Sequence, residues 1–178
     1  SAKKVTDIKL SQYDATDATA VEPDAGIAAV VEKAQKEAEV EGSKTAGNVK
    51  QDLFRGSDEG AEAGSNRGVE STLNNFIADG QRYAMSKQVG EDIEIGVMNA
   101  GGVREDLASG DVTFAEAFKV QPFGNSLGVV EITGEQLKQA LEQQWKPGQD
   151  RPMLALGLSE NVQYAYDPDA EQGKRITY

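Results

Sequence analysis

The run Ile93-Glu94-Ile95-Gly96-Val97-Met98-Asn99-Ala100-Gly101-Gly102-Val103-Arg104 decides the fold. Its first six residues alternate, with Ile93, Ile95 and Val97 on one side, as in a half-buried strand. A glycine-bearing loop, residues 99–106, follows at once. In α/β proteins ligands settle at such strand ends, where the loops leave a crevice. Gly101 and Gly102 permit close approach to a ligand, or positive φ angles. Arg104, two residues on, can present a fork of donors to phosphate oxygens. A tight turn with a surface arginine explains the same residues, and from the residues alone both readings stay open.

Working outward, residues 70–89 read as a helix whose stripe is Leu73, Phe76, Ile77, Gly80 and Ala84. The Gly-, Ser- and acid-rich stretch 55–66 before it is a loop by composition, and residues 44–54 suggest a strand ending in Leu53 and Phe54. Further upstream, Glu22-Pro23-Asp24 starts a helix with Ile27, Val30, Val31, Ala34 and Ala38 at helical spacing, ended by Gly42. Its charge run, 32–39, is a solvated face. Val5, Ile8 and Leu10 suggest a short strand and 14–20 a polar linker, giving an N-terminal extension 1–20 and one domain over 21–178.

Downstream, residues 126–132 read as a strand. Thr133-Gly134-Glu135-Gln136 fits a capping box, Leu137, Ala140, Leu141 and Trp145 form the buried face of the helix it opens, and Lys146-Pro147-Gly148 stops that helix. Strands are expected over 153–158, 162–166 and 174–178. Alternating helices and strands imply an α/β fold with an α+β tendency, a mixed sheet flanked by helices.

Composition narrows the chemistry. The chain has 178 residues, and its net charge of −12 argues against a general nucleic-acid surface, which needs basic residues against phosphates. A few converging arginines can still hold one phosphate. Cysteine is absent, which excludes disulfides and thiolate zinc sites, and histidine is absent too. Histidine is the commonest catalytic metal ligand and general base, so a metallohydrolase centre or serine-type triad is not expected within this chain. No apolar run approaches the ~20 residues that span a bilayer.

Three further constellations invite comparison with structural alternatives. Phe123, between Pro122 and Gly124, can offer an aromatic face to a base, with Asn125 as a donor and acceptor for its edge; the competing reading, a turn whose ring packs on the core, is favoured in isolation. Arg67 stands at the start of the 70–89 helix, where backbone N–H groups attract anions, or is an exposed arginine paired with an acid. Asn75 and Asp79 share a helix face and read either as pocket groups or, the favoured reading, as structural groups that bond the adjacent glycine-rich loop. Glu105-Asp106 and Asp167/Asp169 give no paired-carboxylate chemistry.

At these residues the chain resembles the 5'-nucleotidase family, specifically its C-terminal, substrate-binding domain. The resemblance rests on Arg67 with GVESTLNNFIADGQ, then IGVMNAGGVREDLASGDVTFAEAFKVQPFGNSLGVVEITGEQLKQALE, and runs from about Arg67 to Glu142. It implies that Arg104 and Arg67 face phosphate, that Phe123 is one wall of a base-stacking clamp and Asn125 a base-contacting amide, with Asn99, Gly101 and Gly102 forming the loop and Gly157 near the nucleoside pocket. It implies a parent hydrolase of nucleoside 5'-phosphates or related esters. The divalent metal pair would sit in an N-terminal metallophosphoesterase domain of the same chain, none being held here, and export to the periplasm, cell wall or outer surface would follow. The alternative is a non-catalytic nucleotide- or nucleic-acid-binding module of a larger surface or secreted nuclease-like protein. Two departures stand out. Ala63 occupies the position of a second family arginine, for which Arg55 is a substitute candidate. The family's other stacking phenylalanine and a late Gly-Gly-Asp segment would lie after Tyr178, making the domain C-terminally truncated relative to the family.

Overall fold

The computed structural model describes residues 24–178. The expected strand at Val5, Ile8 and Leu10, the 14–20 linker and Pro23 lie outside the described residues. The chain divides into two units, Ser1–Val40 and Glu41–Tyr178. The first carries most of helix α1 (Ala25–Gly42). Asp24 caps it, its Oδ1 accepting from Gly26 and Ile27 N–H at 2.9 and 3.0 Å. The pair Lys36–Glu32 at 2.6 Å lies on an exposed face as expected, but Ile27, Val30 and Val31 are exposed as well.

In the second unit, β1 (Thr45–Val49) pairs antiparallel with β3 (Gly110–Thr113), with a bulge between Thr45 and Gly47. Leu53 and Leu107 extend the pairing, exchanging both backbone bonds at 2.8 and 2.9 Å. Helix α2 (Thr72–Val89) starts at Ser71, whose hydroxyl accepts from Asn74 N–H, and ends at Gly90 with φ 77°. Strands β2 (Val97–Met98) and β4 (Gly157–Leu158) form a second antiparallel ladder. Helices α3 (Phe114–Val120) and α4 (Gly134–Glu142) both open with full capping boxes, Thr113 with Glu116 and Thr133 with Gln136. The α/β reading holds, but the expected mixed sheet is not found: among the described residues helices accompany two small sheets, both antiparallel.

One core joins Leu53, Leu73, Ala78, Met98, Val103, Leu107, Val112 and Val120. The other joins Leu141, Trp145, Leu158 and Ile176. The buried Glu142 carboxylate ties the chain end to α4, accepting from Ile176 N–H at 2.6 Å and Gly173 N–H at 3.1 Å. Trp145 packs edge-on to Tyr166 and under the Arg175 guanidinium.

Four local expectations are corrected. Of the expected 93–98 strand only Val97–Met98 is paired, and the alternation shifts at Gly96: Ile93 and Ile95 are half-buried as expected, but Gly96 and Met98 are buried and Val97 is exposed. The reason is Gly96, where any Cβ would run into the Ala78 carbonyl. Its missing side chain lets the backbone lie on α2, while its N–H donates to the Ser159 hydroxyl at 2.9 Å. The buried face of α2 is Leu73, Asn74 and Ala78, with Phe76 exposed; the face is turned because Asn74 is buried with its amide satisfied. Residues 126–132 form no strand, and Leu127, Val129, Val130 and Ile132 are exposed. Ala140 lies on the exposed side of α4, while Leu141 and Trp145 are buried as expected.

Candidate functional site

The glycine-rich loop leaves β2 as a short 3-10 turn, Ala100–Gly102. Its entry is pinned by Asn74 of α2, whose Nδ2 donates to the Asn99 carbonyl at 3.4 Å. Its exit is pinned by Arg104 N–H donating to the Val120 carbonyl at 2.9 Å. Gly102 is buried, and a Cβ there would meet Met98 Cε and, at 2.9 Å, Asn99 Oδ1. Absence of a side chain therefore lets the turn close.

Arg55 braces this loop from behind. It faces Asp106 with two guanidinium bonds, Nε to Oδ1 at 3.0 Å and Nη2 to Oδ2 at 3.1 Å, and its backbone N–H adds a third at 2.8 Å. Nη1 donates to the Arg104 carbonyl at 2.8 Å and Nη2 to the Ala63 carbonyl at 3.3 Å. The guanidinium lies against Gly64, where φ is 84° and a Cβ would come within 2.8 Å of it. Burial pushes the Asp106 carboxyl up, but the side-chain and backbone hydrogen bonds from Arg55 outweigh it and hold it below the ordinary carboxylate range. The same bond to Asp106 raises Arg55 above the usual guanidinium value. Four of the five guanidinium N–H groups of Arg55 are committed to Asp106 and two carbonyls, so the side chain braces the loop.

Beside the loop opens a cavity of about 980 Å³. Arg67, Asn99, Ala100 and Gly101 line one part of it, and the end of α4 with the turn after it, including Gln143, Lys146, Gln149 and Arg151, lines the rest. Arg67 is half-buried and held by its carbonyl, which accepts from Ala155 N–H at 2.7 Å. A Cβ on Gly101 would sit 3.5 Å from Arg67 Nη1, an ordinary contact distance, so the guanidinium lies beside the loop. Burial, then the positive charges of Arg151, Arg104 and Arg55 in that order, lower the Arg67 pKa from its usual value. Among the described residues no carboxylate lies within ion-pair distance of Arg67, Arg104 or Arg151.

The motif residues thus divide. Arg67, Asn99 and Gly101 line the cavity, and Gly102 and Arg104 belong to the same loop, Arg104 exposed at its exit. Phe123 and Asn125 do not line it; both are exposed in the irregular segment after α3. Gly157 is buried in β4, where a Cβ would lie 2.5 Å from the Asn74 carbonyl group, so its smallness serves the packing of β4 on α2. Asn75 and Asp79 have structural roles, though with a different partner from the glycine-rich loop: they accept from Leu158 N–H at 3.1 Å and Glu160 N–H at 3.0 Å. Sequence reasoning missed Lys146 and Arg151 as cavity residues, and it missed β3 and α3 although Thr113-x-x-Glu116 carries the capping signature.

The family model described as 5'-nucleotidase, C-terminal domain matches residues 43–178. Cell wall protein Lmo0130 of Listeria monocytogenes is 34% identical over 158 residues, covering 82% of this chain and 20% of its own length. Endonuclease YhcR of Bacillus subtilis is 31% identical over 161 residues, covering 90% of this chain and 12% of its own. The chain therefore spans a fifth or less of these relatives. The crystal structure of a 5'-nucleotidase precursor from Thermus thermophilus superposes with a TM-score of 0.64 at 27% identity, covering 85% of this chain and 28% of that one. The chain belongs to the 5'-nucleotidase C-terminal domain family.

Proposed function

We propose that this domain binds the phosphate and base of a nucleoside 5'-phosphate, or a related phosphate ester, for a longer parent hydrolase. The observation that carries the reading is the cavity beside the glycine-rich loop, where Arg67 has no carboxylate partner among the described residues, in a chain of net charge −12. Unpaired guanidiniums repel one another and lose hydration, so they suit a site completed by an anion. Arg104 supplies a second positive charge at the loop exit. Phe123 and Asn125 supply stacking and edge contacts once a base reaches the exposed segment.

Water activation by a divalent metal pair belongs, in this reading, to a metallophosphoesterase domain elsewhere in the parent. The residues here do not suit such a pair: the chain has no His or Cys, and no group of three or more Asp or Glu among the described residues is placed to hold a metal. The domain's own contribution is orientation and charge, which proximity arguments make large. A cell wall protein among the relatives supports a parent acting outside the cell. No described helix is long and apolar enough to cross a membrane.

The test is phosphate release from AMP with divalent metals. The 178-residue chain is expected to be inactive and a parent carrying the metal-bearing domain active; release by this chain that survives repurification overturns the division of labour. The relative named as an endonuclease favours a second reading, a binding module for nucleotides or nucleic-acid ends. A parent without Asp, His and Asn metal ligands in its other domains would select it.

A further inference from the structure

Arg67 is held against residues 153–156, and one buried side chain sets where that segment runs. Past the end of α4 the chain forms antiparallel rungs. Trp145 bridges to Met153, Lys146 N–H donates to the Pro152 carbonyl at 2.6 Å, and Leu154 N–H donates to the Gln144 carbonyl at 3.0 Å. Successive amides of an extended chain point to opposite edges. Ala155 N–H accordingly donates the other way, to the Arg67 carbonyl at 2.7 Å. Leu156 N–H returns to the α4 side, where the backbone is already helix and offers no strand carbonyl. The Gln144 side chain supplies the missing rung: its Oε1 accepts from Leu156 N–H at 2.7 Å.

The other end of the same amide grips the helix. Gln144 Nε2 donates to the Leu141 carbonyl, near the end of α4, at 2.9 Å and to the Tyr164 hydroxyl at 3.2 Å. Turning the amide over would set oxygen against carbonyl oxygen and N–H against N–H, so its partners fix its orientation. Gln144 is 3% exposed, which makes these bonds costly to lose. Arg67 follows the segment closely. A Cβ on the next residue, Gly68, would lie 3.2 Å from Met153 Cβ and 3.3 Å from the Met153 carbonyl oxygen, so the 67–68 backbone is pressed onto 153–155. Gln144 lines the same cavity as Arg67, but its amide is fully engaged within the protein. It therefore acts on a ligand through Arg67.

Resting on the reading of Arg67 as the phosphate contact, we propose that Gln144 is a positioning residue of this site. Its buried amide ties the 153–156 segment to the end of α4, and that segment in turn places the Arg67 guanidinium in the cavity. The order of dependence runs from α4 through the Gln144 amide and residues 153–156 to Arg67.

The test compares the 178-residue chain with Gln144→Met, which keeps the side-chain length and loses the amide. Val112→Ala, in the other core, is the control for lost stability. Two quantities are read: hydrogen exchange of the Ala155 and Leu156 amides relative to Leu53 without ligand, and the AMP dissociation constant from chemical shifts. Gln144→Met is expected to speed exchange at both amides about tenfold or more and to weaken AMP by about tenfold or more, as for one buried hydrogen bond lost. Val112→Ala should lower the urea midpoint and leave AMP affinity of the folded protein within about twofold. A residue that only stabilises the fold behaves as Val112→Ala does, so unchanged AMP affinity or unchanged protection of Ala155 and Leu156 in Gln144→Met overturns the proposal. If Gln144→Met does not fold, Tyr164→Phe, which removes one partner of the amide, decides: a change of about threefold in both quantities sustains the proposal and none overturns it. A wild type that binds no AMP sinks the phosphate reading alone. The positioning of Arg67 then rests on the ligand-free protein, where Gln144→Met must expose the Ala155 amide and shift the Arg67 Nε–H resonance; an unmoved resonance overturns it.

Discussion

Two stretches of this domain carry ligand-type motifs, residues 99–106 and 121–132, and they are held in opposite ways. The first is fastened from three sides: by Asn74 at its entry, by Arg55 at the Arg104 carbonyl and Asp106 carboxylate, and by the Val120 carbonyl at its exit. In the second, every residue of 122–132 is exposed and, among the described residues, none makes a hydrogen bond. Backbone groups that lack partners stay in water. The contrast assigns different work to each. The braced loop can present its own amides, beside Arg67, in a fixed geometry, which is what anion recognition requires. The unbraced segment can contribute Phe123 only by adjusting to what arrives, at the cost of ordering entropy on binding.

The largest expected contrast is in amide exchange. The Leu53 and Leu107 amides, paired across the braced region, should exchange on the order of 10³-fold or more slowly than the amides of 124–132, since exposed unbonded backbone has almost no opening cost. Comparable protection in the two stretches would break the comparison.

Asp106→Asn comes next. The carboxylate and Arg55 are each a little over a quarter exposed, at 28% and 26%, so the loss should be smaller than for a fully buried pair, about 2 kcal/mol in urea unfolding at neutral pH. The Asp106 carboxyl is held below its unfolded value. Its stabilisation is therefore complete above about pH 4 and lost as pH falls through the folded value, so wild type and variant should converge on acidification. A gap that stays constant with pH would mean that charge is not what Asp106 contributes.

The smallest effect separates two glycines. Gly102→Ala pushes against Met98 and Asn99, and should cost about 1 kcal/mol because the Met98 end can move. Gly124→Ala meets nothing within 4 Å and should stay within about 0.5 kcal/mol. Equal effects would show that the first loop is no more tightly held than the second.

What was legible in the sequence follows the same division. Local backbone chemistry could be read: the Thr133 cap, the Gly42 end of α1, and the glycine-rich loop at a strand end are found as expected. Patterns that count only apolar side chains misled where the buried residue has none or is polar. Gly96, buried against α2, moved the buried side from Val97 to Met98, and Asn74 turned the face of α2. Val129, Val130 and Ile132 have strand-forming side chains, but strand propensity without a pairing partner makes no strand. Among the site residues, Arg67 was found because it stands in a motif. Arg151 was not, since a lone arginine before a proline has no local signature and acquires its place only when the 146–152 turn closes over the cavity.

The central claim, that the cavity beside the glycine-rich loop recognises a phosphate ester through Arg67, is tested most directly by amide chemical shifts during titration of the 178-residue chain with AMP. Saturable shifts are predicted at Asn99, Gly101 and Gln149, with Arg67→Gln raising the dissociation constant about tenfold or more, the loss of a charge-assisted contact. An absence of saturable shifts at these amides, or a titration that Arg67→Gln leaves unchanged, would contradict it.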